Sequence, residues 1–379
     1  MNFETYPFEK LNSLLADITP SNSYEPLSLT IGEPQFETPR FILDELNSSA
    51  SLLNKYPKTS GEQVLRDGML KYLSNRFGLI LDNSQIIPTF GTREVLFNFP
   101  QFLLHDIEDP VMVFPNPFYQ IYEGAARASR AEVIYLNLDK ENSFLPIVDE
   151  EALARAHFVI LNTPNNPTSS VMNIEELKRW VELALKYDFV LLNDECYADL
   201  YLDNPVPSLL NASIEVGNDS FHNILVINSI SKRSSAPGLR SGFIAGDTEI
   251  LERYMTYRTY VGCASPLPLQ MAAAVAWADQ THVETFRAKY IQNFNLAEEI
   301  LGIPRPEATF YIWLEVDNEI EFTKGLYEQY NIKVIPGSYL GREGQGEGFV
   351  RLALVYESTK CEEALKRVKN HIEELKCKI

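Results

Sequence analysis

Short apolar runs alternate with amphipathic stretches between about residues 90 and 245, and this alternation limits the fold more than any other feature of the sequence. The runs are typical of buried strands and the stretches of helices. The predicted strands are 111–114, 132–136, 158–161, 189–193, 224–228 and 242–245. Strands separated by helices pair in parallel, with helices on both faces of the sheet. The chain is therefore predicted to be an α/β protein with a mostly parallel sheet.

Side chains able to do chemistry follow several of these strands. They are Tyr119, Asn166, Asp194 and Lys232. Open α/β sheets bind ligands at the carboxyl ends of their strands, so we expect these four residues to share one site.

Lys232 lies in the segment 229–243, between two predicted strands and close to the edge of a core. Burial disfavours an ammonium ion, so such a lysine loses its proton more easily than one in water. The neutral amine can attack a carbonyl carbon and form a Schiff base. Ser229 offers a hydroxyl and Arg240 a fixed cation to a phosphate beside that amine. These groups suit a phosphorylated aldehyde, pyridoxal 5′-phosphate (PLP); the simpler alternative is a loop with two cations.

The pattern S-x-S-K-x-x-x-x-P-G-L-R-x-G-F, which begins at Ser229, resembles the lysine segment of the class I/II aminotransferases, the fold-type I PLP-dependent enzymes. Six more motifs resemble that family in the same order along nearly the whole chain. From about Val275 the composition turns helical and charged, which indicates a second domain. We expect an N-terminal arm with part of a small domain at 1–40, a large PLP-binding domain at 41–275 and a C-terminal small domain at 276–379.

The resemblance also implies roles around the cofactor ring. Lys232 would carry the cofactor, Asp194 would pair with its pyridinium nitrogen, and Tyr197 would hydrogen-bond its phenolic oxygen. A carboxylate at the end of a buried strand is costly without such a partner. Tyr119 would stack on the ring, with Phe118 as the alternative.

A phosphate site is expected where Gly91 and Thr92 open a helix. Free N–H groups and the helix dipole there both favour an anion. This turn resembles the G-[ST]-x-[EQ] loop of the family, which implies phosphate contacts from Gly91, Thr92 and the Arg93 backbone, together with Ser229 and Arg240.

Three residues are expected to bind the substrate α-carboxylate. Arg351 lies in an otherwise apolar strand, and its planar fork suits a carboxylate. The run from Asn162 to Thr168 resembles the family's N-x-P-x-N-P-T-G pattern, which implies that Asn166 contacts both the carboxylate and the cofactor. Ser169 replaces the glycine of that pattern. Gly32 would lie beside the carboxylate by the same resemblance.

Tyr56 lies in a loop ahead of a predicted helix. In the family, a tyrosine at this place reaches the partner subunit's PLP phosphate. The resemblance therefore implies a homodimer with shared active sites.

Composition excludes several other functions. The net charge is −19, from 52 acidic and 33 basic residues, so neither nucleic acid nor an anionic membrane is an expected partner. A PLP-sensing regulator would need an added basic domain, which length and charge do not allow. There is no C-x-x-C motif, no histidine pair at metal spacing, no secretory signal and no apolar run of spanning length, so we expect a cytoplasmic protein without a metal.

Several local segments resemble the bacterial succinyldiaminopimelate aminotransferases, which act in lysine and diaminopimelate synthesis. They are 6–11, 28–34, 91–97, 116–125 and 257–263. The alternatives are another aminotransferase, of aspartate or aromatic type, and a PLP-dependent β-lyase. Small-molecule amino acids and 2-oxo acids are the expected substrates. The distal carboxylates of a succinylated substrate need a cation, for which Arg93 is our choice and Arg233 and Arg258 are alternatives.

Overall fold

A computed structural model describes residues 3–377 of the chain. Met1, Asn2, Lys378 and Ile379 lie outside the described residues, and with them the outer ends of the predicted N-terminal arm and C-terminal domain. The strands are β1 (Leu27–Ser28), β2 (Ile86–Thr89), β3 (Val111–Asn116), β4 (Glu132–Asn137), β5 (Phe158–Asn162), β6 (Val190–Asp194), β7 (Ile224–Ser229), β8 (Gly242–Gly246), β9 (Tyr311–Glu315), β10 (Ile332–Lys333), β11 (Ile335–Pro336) and β12 (Phe349–Ala353).

Helices precede, separate and follow these strands. They are α1 (Pro7–Leu15), α2 (Arg40–Ser48), α3 (Gln63–Phe77), α4 (Thr92–Leu103), α5 (Ile121–Ala128), α6 (Glu150–Leu153), α7 (Ile174–Tyr187), α8 (Leu209–Glu215), α9 (Ile230–Arg233), α10 (Thr248–Val261), α11 (Leu267–Ala278), α12 (Thr281–Leu301), α13 (Glu319–Tyr330) and α14 (Ser358–Lys376).

Seven strands form the central sheet, in the order β2-β8-β7-β6-β5-β3-β4. Neighbouring strands from β3 to β7 pair in parallel, and only β8 runs against the others. The predicted α/β fold with a mostly parallel sheet is confirmed. From β3 the chain moves outward to β4 and then returns to the other side of β3 as β5. The loops after β3 and β5 therefore diverge and leave a crevice at the carboxyl ends of the strands.

Apolar side chains cover both faces of this sheet. On one face Trp277 of α11 packs against Tyr72 of α3 and Phe243 of β8, with ring centroids 5.0 and 5.2 Å apart. On the other face Phe99 of α4 packs against Phe158 and Tyr254. Each fully buried side chain of this size contributes about 1.5–3 kcal/mol to folding. The sheet is thus a rigid base for the loops at its edge.

A smaller antiparallel sheet, in the order β11-β12-β9, lies apart from the central one and packs with α12, α13 and α14. The N-terminal segment joins this unit, because β1 pairs in parallel with β10. The predicted boundary at residue 275 would divide α11, whose Trp277 packs in the core of the central sheet. The division into domains stays a prediction.

Two local expectations were wrong. The alternating run 27–31 predicts a strand, but β1 covers only Leu27 and Ser28, which pair with Ile332 and Lys333. The position of Lys232 between two predicted strands indicates a turn, but the residue lies on the single helical turn α9, closed by the bond from Ser234 N–H to the Ile230 carbonyl at 3.0 Å. Ile230 is fully buried and anchors that turn in the core.

Within residues 3–377, none of the helices combines the length and apolar character that crossing a membrane requires.

Candidate active site

A cavity of about 730 Å³ opens at the carboxyl ends of the parallel strands. The structure brings together there most of the residues that the sequence nominated. Those lining the cavity are Gly32, Thr92, Arg93, Tyr119, Asn166, Asp194, Tyr197, Ser229, Lys232, Arg240 and Arg351.

Lys232 projects from α9 into this cavity. Its Nζ donates a hydrogen bond to the Gly32 carbonyl. Burial lowers the pKa of the amine from 10.5 to about 8. At pH 7.5 roughly a quarter of such amines are neutral, against about one in a thousand at the ordinary pKa. The side chain is therefore suited to act as a nucleophile or as a proton carrier.

Asp194 ends β6, between β5 and β7, and is buried. Its two oxygens accept hydrogen bonds from Cys196 N–H at 3.2 Å and from the Tyr122 hydroxyl at 3.0 Å. Burial raises the pKa of this carboxyl, and the hydrogen bonds act in the opposite direction. A carboxylate held in this way favours a cationic ligand group beside it.

One end of the cavity suits a phosphate. Gly91 precedes α4 with φ +74°, and a Cβ there would lie 2.3 Å from Arg240 Nη2. Gly91 does not line the cavity, but its missing side chain lets Arg240 approach. The Thr92 and Ser229 hydroxyls contact the sulfur of Cys196 at 3.3 and 3.6 Å. The first turn of α4, two hydroxyls and a guanidinium thus meet at this end.

Arg351, on β12, forms part of a different wall of the cavity. Its Nη1 donates to Asn166 Oδ1 at 2.8 Å and its Nη2 to the Thr30 carbonyl at 2.6 Å. The side chain is buried, and Nε has no hydrogen-bond partner among the described residues. Two bonds hold the guanidinium in place, and one donor is still unsatisfied.

The loop after Asn166 shows how the serine in the motif is accommodated. Ser169 has φ +65°, the left-handed region that favours glycine. Its Oγ contacts Thr309 Oγ1 at 2.6 Å and donates to the Tyr311 carbonyl at 3.0 Å. These two contacts offset the backbone strain and tie the loop to the beginning of β9.

Tyr119 and Phe118 are the two candidates for stacking on the cofactor ring, and the structure distinguishes between them. Tyr119 lines the cavity, whereas Phe118 is buried and stacks on Tyr135 at 5.7 Å. Tyr119 accepts hydrogen bonds from Arg93 Nε at 3.0 Å and Nη2 at 2.8 Å. Of the two rings, only Tyr119 is free to stack on a ligand.

The alternative arginines do not line the cavity. Arg233 is buried and pairs with Asp199 at 2.6 Å, and Arg258 is buried and pairs with Glu94 at 2.6 Å. Both hold structure together, as ion pairs in which each charge has a partner.

The cavity arginines differ from these two in having no carboxylate partner. Within residues 3–377, Arg93, Arg240 and Arg351 make no ion pair although the chain has 52 acidic residues. Three guanidinium groups without carboxylate partners in one cavity provide binding sites for an anionic ligand.

Tyr56 is not at the cavity of its own chain. Its side chain is completely exposed. Its expected action on a partner subunit stays a prediction.

Sequence reasoning missed several cavity residues, chiefly Tyr122, Tyr311, Cys196 and Tyr6. Tyr122 could have been predicted from the sequence, because it follows Tyr119 by three residues and so lies on the same side of a helical turn. Tyr311 lies on β9, in the small sheet, and nothing in its own segment points to the cavity.

No group of three or more metal-ligating side chains occurs in the part of the chain described here. The arrangement can instead hold a phosphorylated, planar, cationic ring next to an amine, with a carboxylate site beside it.

Comparison with known proteins agrees with this chemistry. Residues 24–368 match the aminotransferase class I and II family. The solved structure of aminotransferase AspB from Helicobacter pylori is 48% identical, covers 98% of this chain and all of its own, and superposes with a TM-score of 0.96. An LL-diaminopimelate aminotransferase from Dehalococcoides mccartyi is 29% identical over 97% of both chains. Aromatic-amino-acid aminotransferase 2 from Thermococcus litoralis is 28% identical over 92% of both.

The family match covers most of the sequence, and the fold and the cavity chemistry agree with it. This chain therefore belongs to the class I and II aminotransferases, fold-type I enzymes that use PLP to move amino groups between amino acids and 2-oxo acids.

Proposed function

We propose that this aminotransferase takes its amino group from N-succinyl-L,L-2,6-diaminopimelate and passes it to 2-oxoglutarate, in the synthesis of lysine and diaminopimelate. The observation that carries the proposal is the set of three cavity guanidiniums without carboxylate partners, Arg93, Arg240 and Arg351. A PLP phosphate and an α-carboxylate would engage two of them. The third favours a substrate with another anion at its far end.

The residues present fit PLP. Buried Arg351 has an Nε without a hydrogen-bond partner among the described residues, as expected of a guanidinium that binds an anion. The missing side chain of Gly91 lets the Arg240 guanidinium approach the first turn of α4, where a phosphate would bind. PLP supplies an aldehyde that combines with amines and a protonated ring that draws electrons away from the reacting carbon.

Residues around the PLP ring would have separate tasks. Lys232 would carry the cofactor, Asp194 would hold the ring nitrogen protonated, and Tyr197 would donate to the phenolic oxygen, with Asn166 beside it. Tyr119 would lie against the face of the ring. At the phosphate end, the hydrogen-bond donors would be the backbone of Gly91, Thr92 and Arg93, the hydroxyls of Thr92 and Ser229, and the Arg240 guanidinium.

The substrate would be oriented by its α-carboxylate on Arg351, with Asn166 and the Gly32 backbone alongside. Lys232 Nζ, neutral in a sizeable fraction of molecules near pH 8, would then carry the proton between the substrate α-carbon and the reactive carbon of the cofactor. Asn166 already bonds Arg351, so one contact aligns the carboxylate site with the ring.

Support for the diaminopimelate skeleton comes from the local segments of the sequence and from the relative named LL-diaminopimelate aminotransferase. The relative named for aromatic amino acids supports the alternative of another amino-acid aminotransferase. A β-lyase would share the cofactor residues and would differ at the far end of the cavity.

A panel of amino donors with 2-oxoglutarate tests the proposal. It should contain the succinylated substrate, free L,L-diaminopimelate, aspartate and phenylalanine. We expect the highest kcat/KM for the succinylated donor. A higher value for aspartate or phenylalanine would overturn this assignment, while release of pyruvate and ammonia in place of transamination would indicate a β-lyase.

Arg93→Met should lower kcat/KM for the succinylated donor by about 10- to 100-fold, because a charge-assisted hydrogen bond is worth about 1.5–3 kcal/mol. Glutamate lacks the far-end groups, so its kcat/KM should change much less. Tyr119→Phe is the matched control, since it removes the hydroxyl that Arg93 bonds and keeps the ring. If both substitutions cause equal losses for both donors, then Arg93 only holds Tyr119.

We also propose that the enzyme is a cytoplasmic homodimer in which Tyr56 of one chain serves the other chain's cofactor phosphate. The Tyr56 side chain is completely exposed, so it is available to a partner subunit. Free thiols are typical of the cytoplasm, and the free cysteines are Cys196, Cys263, Cys361 and Cys377.

Mixing Tyr56→Phe with Lys232→Ala chains tests the shared site. In a hybrid dimer one site would carry both lesions and the other neither, so about half of the active sites in each hybrid should recover wild-type turnover. Sedimentation should give a dimer for each parent protein. An active monomer, or mixing without any gain in turnover, would contradict the shared site.

A further inference from the structure

One hydroxyl, that of Tyr311, lies among several groups of the active site. It is 2.9 Å from the Tyr197 hydroxyl. The Arg351 guanidinium lies over the Tyr311 ring, with the guanidinium carbon 4.4 Å from the ring centroid. A Cβ at Gly32, whose carbonyl accepts from Lys232, would be only 1.9 Å from this hydroxyl. Thus Tyr311 occupies the space that the missing Gly32 side chain leaves.

Tyr311 is held firmly in this position. Its backbone N–H donates to Thr309 Oγ1 at 2.9 Å, and its carbonyl accepts from Ser169 Oγ at 3.0 Å. Its side chain is only 2% exposed. Because both its backbone and its ring are held in place, its hydroxyl can hold a neighbouring side chain in one orientation.

The direction of the shared hydrogen bond follows from counting protons. Tyr197 and Tyr311 have one hydroxyl proton each, and among residues 3–377 the Tyr311 hydroxyl bonds only Tyr197. Both tyrosines line the cavity, and the cofactor contact proposed for Tyr197 uses the one Tyr197 proton. The bond between the two hydroxyls then needs the Tyr311 proton, so Tyr311 is the donor and Tyr197 the acceptor.

We propose that Tyr311 is a positioning residue whose hydroxyl donates to Tyr197 and thereby directs the Tyr197 proton toward the phenolic oxygen of the cofactor. The inference rests on the cofactor site proposed above, in which Tyr197 faces that oxygen. It does not depend on the amino donor. Neither the segment around Tyr197 nor the lysine segment contains Tyr311, which comes from β9 of the small sheet.

The expected signature is spectroscopic. A hydrogen bond donated to the phenolic oxygen stabilises its deprotonated form and lowers the pH at which the visible band of bound PLP changes. Tyr311→Phe leaves the Tyr197 proton free to turn toward other acceptors, so that pH midpoint should rise by up to about one unit. Tyr197→Phe should raise it at least as much, and the double variant should match Tyr197→Phe alone.

Tyr290→Phe is the matched control. Tyr290 is 1% exposed, and its ring packs on Phe310, the neighbour of Tyr311, at 5.4 Å. Its hydroxyl has no hydrogen-bond partner among the described residues. Removing it deletes a buried oxygen from the same aromatic cluster but leaves the Tyr197 bond intact, so the midpoint should stay at the wild-type value.

Each outcome decides a different point. If Tyr197→Phe shifts the midpoint and Tyr311→Phe does not, or if the two shifts add in the double variant, Tyr311 has no positioning role. If Tyr197→Phe itself has no effect, the proposed cofactor contact of Tyr197 is wrong, and the inference falls with it. Gly32→Ala is a second route, because its Cβ would displace the Tyr311 hydroxyl. It should raise the midpoint even if Tyr311→Phe does not fold, and an unchanged midpoint in this PLP-loaded variant would also overturn the proposal.

Discussion

Lys232→Ala should abolish covalent attachment of PLP and lower turnover by at least about 10⁴-fold, because in the proposed mechanism one amine both holds the cofactor and carries the proton. Borohydride reduction followed by mass spectrometry should then find no PLP on the lysine-free segment, whereas the wild-type chain should be labelled there. Lys289→Ala is the matched control. Lys289 is also partly buried and lies over an aromatic ring, that of Phe36 at 4.6 Å, but it does not line the cavity.

The lowered pKa of Lys232, about 8, adds a pH signature to this prediction. Only the neutral amine can attack the cofactor aldehyde, so attachment of PLP to the cofactor-free protein should speed up as pH rises toward 8 and level off above it. A rate that kept rising to pH 10 would show an ordinary lysine. Full turnover in Lys232→Ala would show that another residue carries the cofactor.

Asp194→Asn should cut turnover by about 100-fold or more while the protein stays folded and still binds PLP. A neutral amide cannot hold the ring nitrogen protonated, so the ring withdraws electrons less strongly from the reacting carbon. The Cys196 N–H and the Tyr122 hydroxyl that bond the carboxylate can also bond an amide, so packing should persist. Turnover near wild type in a PLP-loaded Asp194→Asn protein would contradict the role of Asp194.

The same substitution should behave differently in the cofactor-free protein. Burial raises the pKa of Asp194 in the folded state above its ordinary value of 3.8. The folded state then binds the proton more tightly than the unfolded state. The contribution of Asp194 to the free energy of unfolding therefore falls as the pH rises from 3.8 through the higher pKa of the folded state. At pH 7 the neutral asparagine removes the penalty of a buried charge. The thermal midpoint of cofactor-free Asp194→Asn should therefore equal or exceed that of the wild type, and a large decrease would show that the carboxylate stabilises the fold.

Strand positions depend mainly on neighbouring residues, and for that reason they could be predicted from the sequence. Runs such as 158–161 and 224–228 are apolar and bounded by polar residues, and such local patterns predict where strands lie along the chain. The proximity of Asp194, which ends β6, and Lys232, which follows β7, was predictable because the carboxyl ends of parallel strands lie at one edge of the sheet.

Contacts between side chains from distant parts of the chain could not be predicted in this way. The Tyr311 hydroxyl reaches Tyr197 across 114 positions of the chain, and it fits only because Gly32, far away in the sequence, has no side chain. Arg93 and the alternative Arg233 both lie near the site in the sequence, yet Asp199 neutralises Arg233, and no carboxylate among the described residues pairs with Arg93. Burial and pairing are set by the whole packed core, and a periodic pattern records only which face of an element is apolar. For that reason the sequence could predict the candidate groups for the cofactor site, whereas the contact between Tyr197 and Tyr311 of the small sheet could be found only in the folded structure.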